Sequence, residues 1–205
     1  MHSSLAEGLA GLAERIRQIT VRVHGRGSGH GSGVIWRPDG HIVTSAHVAS
    51  RLATVVLSDD RAFETAVIAC DPERDLAAIK VDAGPLPAAA IGDSDALRVG
   101  DMVFAVGHPF GGTGTLTAGI VHRVRRRDGP SDRRWVEADV RVAPGNSGGP
   151  LVDAHGRVIG INAMVAGGVA LAVPSNVVER FLSDADARAR LGGAGRPGVG
   201  HRRPA

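Results

Sequence analysis

The chain is 205 residues long, 43% hydrophobic and 22% charged, which is enough apolar material to bury a sizeable core and too much for a disordered or fibrous chain. Formal net charge is +3, and every basic residue except Lys80 is an Arg, a weak attraction for anionic partners. Cys70 is the lone cysteine, so no internal disulfide can form and burial and hydrogen bonding must hold the fold.

The N-terminus lacks a basic run ahead of its first apolar residues, and Glu7, Glu14 and Arg15 interrupt the apolar stretch. It does not read as a secretory signal, so the chain as written is expected to be cytoplasmic, with a periplasmic or secreted protein as the alternative for a trimmed chain. Leu5, Leu9, Leu12, Ile16 and Ile19 recur at steps of three and four, which predicts an amphipathic helix over residues 1–18 with Ser4 as its cap. The polar face carries acids as well as Arg, so a helix packed on the domain is favoured over one lying on a membrane surface.

After residue 19 the pattern changes to short β-branched runs broken by Gly, Pro and Asp, the signature of an all-β barrel or sandwich. Strands are expected near 19–24, 32–36, 41–44, 53–57, 62–69 and 76–81. A Gly/Pro/Asp-rich passage from Gly84 to Gly100 precedes a second set near 102–106, 115–124, 134–138, 150–153, 157–163 and 169–173. Two similar halves result, about 19–95 and 96–182, within one domain over 19–187. A helix is expected near 175–190, and the Gly-, Pro- and Arg-rich end, residues 188–205, is expected to be a disordered basic tail. Val158 to Val178 carries no charge, yet Asn162, the Gly167-Gly168 pair, Pro174 and Asn176 fit two strands and a glycine hairpin better than a membrane span.

The sharpest chemical feature runs from Pro144 to Pro150, where Ser147 sits among glycines that allow positive φ and close backbone approach. Acyl transfer needs an exposed Ser and two backbone N–H groups aimed at the oxyanion, and those of Gly145 and Ser147 are the natural pair. A Ser nucleophile also needs a base. His47 follows a strand-like run, whereas the other histidines lie in tails, turns or charged contexts. Asp75 opens a segment whose following residues look buried, and Asp71 and Glu73 compete with it as the carboxylate that orients the base.

The segments GSGVIWRPDGHIVTSAHV, DLAAIKV, GDSDALRVGDMVFAVGHPFG, LTAGIV, PGNSGGPLVDAHGRVIGIN and VALAVPSNVV resemble the protease domain of the HtrA/Deg family of trypsin-like serine peptidases over about residues 5–182. The order His, Asp, Ser matches the chymotrypsin-type arrangement. The resemblance implies an all-β, chymotrypsin-like double β-barrel with an N-terminal and a C-terminal helix. By similarity His47 is the general base, Asp75 its partner and Ser147 the nucleophile, with Gly145 and Ser147 forming the oxyanion hole. It further implies a serine endopeptidase acting on polypeptides in protein quality control, without metal or organic cofactor. A homo-oligomer, a trimer, is implied by the family alone; no aromatic residue precedes Trp36 to anchor one.

The specificity pocket is expected between Val142, Ala143 and Pro144 on one side and Val169, Ala170, Leu171 and Ala172 on the other. These residues are small or apolar, which favours an aliphatic side chain before the cut; Arg141 is expected to point outward, the alternative being an Arg141 turned into the pocket that selects Asp or Glu. The sequence departs from the family at His108, where Asn is usual, and at Val140, Arg141 and Ala143. Relatives usually continue into a peptide-binding PDZ domain, so regulation through one is expected to be either absent from this chain or lost by truncation.

Other motifs carry less. The glycine-rich run from Gly25 to Gly33 leads into a strand, where a phosphate site would need a helix. His24, His30 and His41 have no Cys or carboxylate at ligand spacing, so no metal is expected. Six Arg lie from Arg123 to Arg134 with only Trp135 beside them, a solvated loop rather than a nucleic-acid surface. The competing class is a non-catalytic binder that keeps the fold and holds unfolded or anionic segments on this Arg-rich loop.

Overall fold

A computed structural model describes residues 2–25, 30–49, 52–108, 114–125 and 134–193. The first six strands are β1 (Thr20–Gly25), β2 (His30–Arg37), β3 (His41–Thr44), β4 (Leu52–Val56), β5 (Ala62–Asp71) and β6 (Leu76–Lys80). They close into a barrel in the order β1-β2-β3-β6-β5-β4. The second six are β7 (Met102–Gly107), β8 (Thr115–Arg125), β9 (Trp135–Asp139), β10 (Pro150–Asp153), β11 (Val158–Ala166) and β12 (Val169–Pro174). These close as β7-β8-β9-β12-β11-β10, the same order advanced by one barrel. The chain is therefore an all-β double barrel of the chymotrypsin-like kind, flanked by helices α1 (His2–Ile19) and α2 (Ser175–Gly193).

Burial explains why the strands differ in pattern. Each barrel has its own interior: Val21, Val23, Ile35, Ile42, Val55 and Ile79 in the first, and Val103, Ala105, Val121, Val136, Leu151 and Ile159 in the second. A third cluster joins Val34, Trp36, Val43 and Ala78 of one barrel to Phe104, Val152, Ile161 and Val173 of the other. Strands facing the opposite barrel are buried on both sides, so Val34-Ile35-Trp36 and Ile42-Val43 read as continuous apolar runs. β5 lies on the outside, and its burial alternates residue by residue.

Both helices seal the central cluster. Leu12 and Ile16 of α1 and Val177, Val178, Phe181 and Leu182 of α2 enter it. Ser4 lies inside α1, which starts at His2, and so is not its cap. α2 continues through residues 188–193, where the sequence predicts the start of a tail; residues 194–205 lie outside the described residues. A short 3₁₀ turn at Ser94–Ala96, unforeseen in the sequence, is capped by the Asp93 carboxylate, which accepts the Asp95 N–H at 2.9 Å. Of the uncharged stretch, residues 158–174 form β11 and β12, paired antiparallel as a hairpin, and residues 175–178, Asn176 among them, begin α2. No described helix is long and apolar enough to cross a membrane.

Candidate active site

Two turns of the first barrel bring an imidazole and a carboxylate together. β3 ends at Thr44, and the Ser45 carbonyl accepts the N–H groups of Val48 and Ala49, both at 3.1 Å, in one helical turn that presents His47. Between β5 and β6 the Asp71 carboxylate accepts the N–H groups of Glu73 and Arg74 at 3.1 Å and the Arg74 guanidinium at 2.8 Å. Asp71 is thus committed to holding its own turn, and Glu73 is exposed. The next residue that can reach across is Asp75, in the left-handed region at φ 56°, an uncommon backbone for a residue with a Cβ and one that clusters at functional sites.

Its carboxylate accepts the His47 backbone N–H at 3.0 Å and lies 2.9 Å from His47 Nδ1 through each oxygen. With the proton on Nδ1 facing the carboxylate, the basic lone pair belongs to Nε2. Asp75 raises the imidazole pKa above its ordinary value of 6.5, chiefly by that hydrogen bond and against the smaller opposing effect of burial. The side chain of Asp75 is 13% exposed and that of His47 51%, so the acid is shielded while the ring edge stays open.

Ser147 is built on a different principle. Asn146 N–H donates to the Ala143 carbonyl at 3.0 Å across a turn with Pro144 second and Gly145 third. Gly145 has φ 103°, so this is a turn of type II form, whose third residue must accept positive φ. The second barrel fastens the residues after Ser147: Gly148 N–H donates to Asn162 O at 2.7 Å and Asn162 N–H to Gly149 O at 2.9 Å. The first barrel fastens the turn from the other side, with Ser32 N–H donating to Ser147 O at 2.8 Å and Ser32 Oγ to Gly145 O at 2.7 Å. Among the described residues, the N–H groups of Gly145 and Ser147 donate to nothing. The Ser147 hydroxyl donates to the Ala163 carbonyl at 3.0 Å rather than to His47.

His47, Asp75 and Ser147 share one cleft of about 750 Å³, with Val142, Ala143 and Pro144 along one wall. The opposite wall is formed by Asn162, Ala163, Met164 and Val165 of β11, and residues 169–172 are not among the lining of this cleft. β12 lies behind β11, paired with it and with β9, and Ala170 and Ala172 point into the barrel interior. Pairing of β10 with β11 ends at Ile161 and Asn162 is held by Gly148 and Gly149, which leaves the edge from residue 163 onward facing the cleft. Arg141 is exposed and outside the lining. The signal that could have found this wall is the invasion of the charge-free stretch by Asn162, a polar residue with a structural bond to the Pro150 carbonyl at 3.0 Å.

Elsewhere, His24 and His30 meet across β1 and β2 with their Nδ1 atoms 2.7 Å apart, while His41 pairs with Asp39 at 2.7 Å. The three do not converge, and among the described residues no group of three or more His, Cys, Asp or Glu is placed to hold a metal ion. Most of the Arg-rich stretch, residues 126–133, and the segment 109–113 lie outside the described residues.

The sequence profile of the Trypsin-like peptidase domain matches residues 31–161. The "Probable periplasmic serine endoprotease DegP-like" of Marinomonas sp. (strain MWYL1) is 41% identical over 183 residues, covering 82% of this chain and 39% of that protein. "Protease Do-like 1, chloroplastic" of Arabidopsis thaliana is 36% identical over 211 residues, covering 94% of this chain and 46% of the relative. The chain therefore spans less than half the length of these curated relatives. A solved structure described as "HtrA-type protease AlgW with tripeptide" superposes with a TM-score of 0.78 at 33% identity, over 85% of this chain and 62% of that one. A peptidase profile over most of the double barrel, together with relatives and a solved structure of the same type, shows that the chain belongs to the trypsin-like peptidase domain family, in its HtrA/Deg branch.

Proposed function

We propose that the chain hydrolyses peptide bonds through an acyl-enzyme, with His47 as general base, Asp75 as the carboxylate that orients it and Ser147 as nucleophile. One observation carries this reading: an imidazole fixed through Nδ1 by Asp75 and a serine on a turn with two undonated N–H groups line the same cleft. Attack begins when the Ser147 hydroxyl turns from Ala163 O to His47 Nε2. As Oγ bonds to the scissile carbonyl carbon, its proton passes to Nε2, and the carbonyl oxygen becomes an oxyanion held by the N–H groups of Gly145 and Ser147. Collapse breaks the C–N bond, and His47 returns the proton to the leaving amine. Water then repeats these steps on the acyl-serine, giving its proton to Nε2 and releasing the acid.

The open edge of β11 suits an extended polypeptide added as an antiparallel strand. Turning Ser147 away frees the Ala163 carbonyl to accept a substrate N–H. The lining of Val142, Ala143, Met164 and Val165 favours an aliphatic residue before the cut, because among the described residues the one acid lining the cleft is Asp75, already engaged with His47. Aliphatic side chains on extended backbone are exposed mainly in unfolded proteins, so misfolded polypeptides are the natural substrate class, in keeping with a quality-control role. The peptide-bound HtrA-type neighbours support polypeptide substrates. The names of the Marinomonas and Chlamydia pneumoniae relatives place those proteins in the periplasm, which supports an exported protein over the cytoplasmic expectation.

A fluorophosphonate probe tests the reading. Covalent labelling of the full chain that disappears in Ser147→Ala is the expected result; a folded protein that never labels would favour the non-catalytic binder.

A further inference from the structure

The geometry points to Ser32 as a positioning residue that holds the oxyanion turn in its competent shape, a proposal that rests on the reading of Gly145 and Ser147 as oxyanion donors. Ser32 belongs to β2 of the first barrel and is 0% exposed. All its polar groups are committed. Its Oγ donates to Gly145 O at 2.7 Å and accepts the His108 N–H at 3.0 Å. Its N–H donates to Ser147 O at 2.8 Å, and its carbonyl accepts Thr44 Oγ1 at 2.7 Å. Two of these bonds end on the two residues whose N–H groups frame the hole.

The need for such a brace comes from the turn itself. Gly145 has the widest backbone freedom of any residue in it, and its N–H is useful only while its φ and ψ keep that group aimed into the cleft. The Asn146 N–H to Ala143 O bond fixes one end of the peptide between Gly145 and Asn146, and Ser32 Oγ fixes the carbonyl at the other. The peptide after Ser147 is pinned in the same way, by Ser32 N–H on one carbonyl and Asn162 O on the Gly148 N–H. The adjacent Gly31 makes this proximity possible, since a Cβ there would come within 2.8 Å of Ser147 O and 2.6 Å of the Val48 methyls. The Ser32 hydroxyl also links β2 to the residue after β7, so the shape of the turn depends on how the two barrels meet.

Removing the hydroxyl leaves Gly145 O and the His108 N–H without this partner in a place closed to water, and the peptide gains freedom to rotate. Because misplacing a preorganised donor can cost about a hundredfold in rate, the loss should fall on kcat and not on ground-state binding.

The experiment compares wild type and Ser32→Ala as full chains, with two readouts. Amide hydrogen exchange at Asn146, Gly148 and Gly149 is expected to quicken at least tenfold while Ile42 and Ile79 in the barrel strands stay unchanged. On a short peptide substrate, kcat is expected to fall by about 10- to 100-fold with KM within a factor of two and an unmoved pH midpoint. A peptide aldehyde, whose adduct oxygen occupies the hole, should weaken by the same factor. A folded Ser32→Ala with wild-type exchange and kcat overturns the proposal. So does an activity loss that tracks only the unfolded fraction and returns on cooling, which would leave Ser32 a stability residue. If Ser32→Ala fails to fold, Ser32→Cys, which keeps a weak donor and some bulk, carries the same comparison with a smaller expected loss. Should wild type fail to label with fluorophosphonate, the catalytic reading fails alone, and the exchange data still decide whether Ser32 holds the turn.

Discussion

His47 is asked to favour its proton for folding and to lose it for catalysis. The Asp75 hydrogen bond raises its pKa above 6.5, so the pair contributes stability that is fully present below that value and is lost as pH rises through the raised one. Only the neutral ring can take the Ser147 proton, so hydrolysis of a small ester should rise with pH through a midpoint above 6.5; a flat profile from mildly acidic to mildly basic pH would count against His47. His24 has the opposite sign: burial, then His30 and Arg22, lower its pKa, so its contribution is intact above 6.5 and is lost as pH falls through the lowered value. Asp75→Asn should reduce turnover by about 10⁴-fold and move the pH midpoint down, with little change in far-UV circular dichroism. Asp71→Asn, which weakens the Arg74 contact but leaves the His47 partner in place, should retain activity within about tenfold on the same assay. A dead Asp71→Asn beside an active Asp75→Asn would reverse the assignment.

At the level of elements, the twelve strands were legible because their burial wrote itself into the sequence. Strands between the barrels are continuous apolar runs, and the outer β5 alternates, so both patterns stand out against the Gly, Pro and Asp of the turns. What the local pattern left ambiguous is which strand of the hairpin meets the cleft: residues 163–165 and 169–172 are alike apolar, and it is the closure of the barrel that sets residues 162–165 of β11 along it. Ser32 stayed hidden for a related reason, since its partners Gly145 and His108 are remote in the chain and a serine in a glycine-rich run looks like a linker. The β11 wall has consequences. Arg141→Ala should leave a peptide-library cleavage profile unchanged, with Val, Ala, Ile or Leu preferred before the cut, whereas Val142→Asp should introduce tolerance of Lys and Arg. Helix α1 gives a second check at this scale: Ile16 is 1% exposed in the central cluster and Leu9 is 38% exposed. Ile16→Ala should cost about 2–5 kcal/mol and Leu9→Ala no more than about 0.5 kcal/mol, measured by urea unfolding.

For the whole molecule, the decisive arrangement is that the proposed base and its acid belong to one barrel, while the serine turn is fastened to both. Each barrel has an interior of its own, so each can keep its strands while the contact between them loosens. What joins them is the third cluster together with α2, which comes after β12 of the second barrel yet reaches back to the first: Trp36 Nε1 donates to Glu179 at 2.6 Å and Arg37 pairs with Asp186 at 2.7 Å. Phe181 sits in that cluster at 6% exposure. Truncating it should weaken the junction by about 3–5 kcal/mol without touching either barrel interior. We therefore expect Phe181→Ala to lose esterase activity at a lower urea concentration than it loses strand signal in the far ultraviolet, whereas in wild type the two transitions coincide. A gap of that kind means that the catalytic geometry dissolves before the barrels do. Coincident transitions in Phe181→Ala, shifted together to lower urea, would show instead that the barrels fold only as one unit and that the site has no separate weak point.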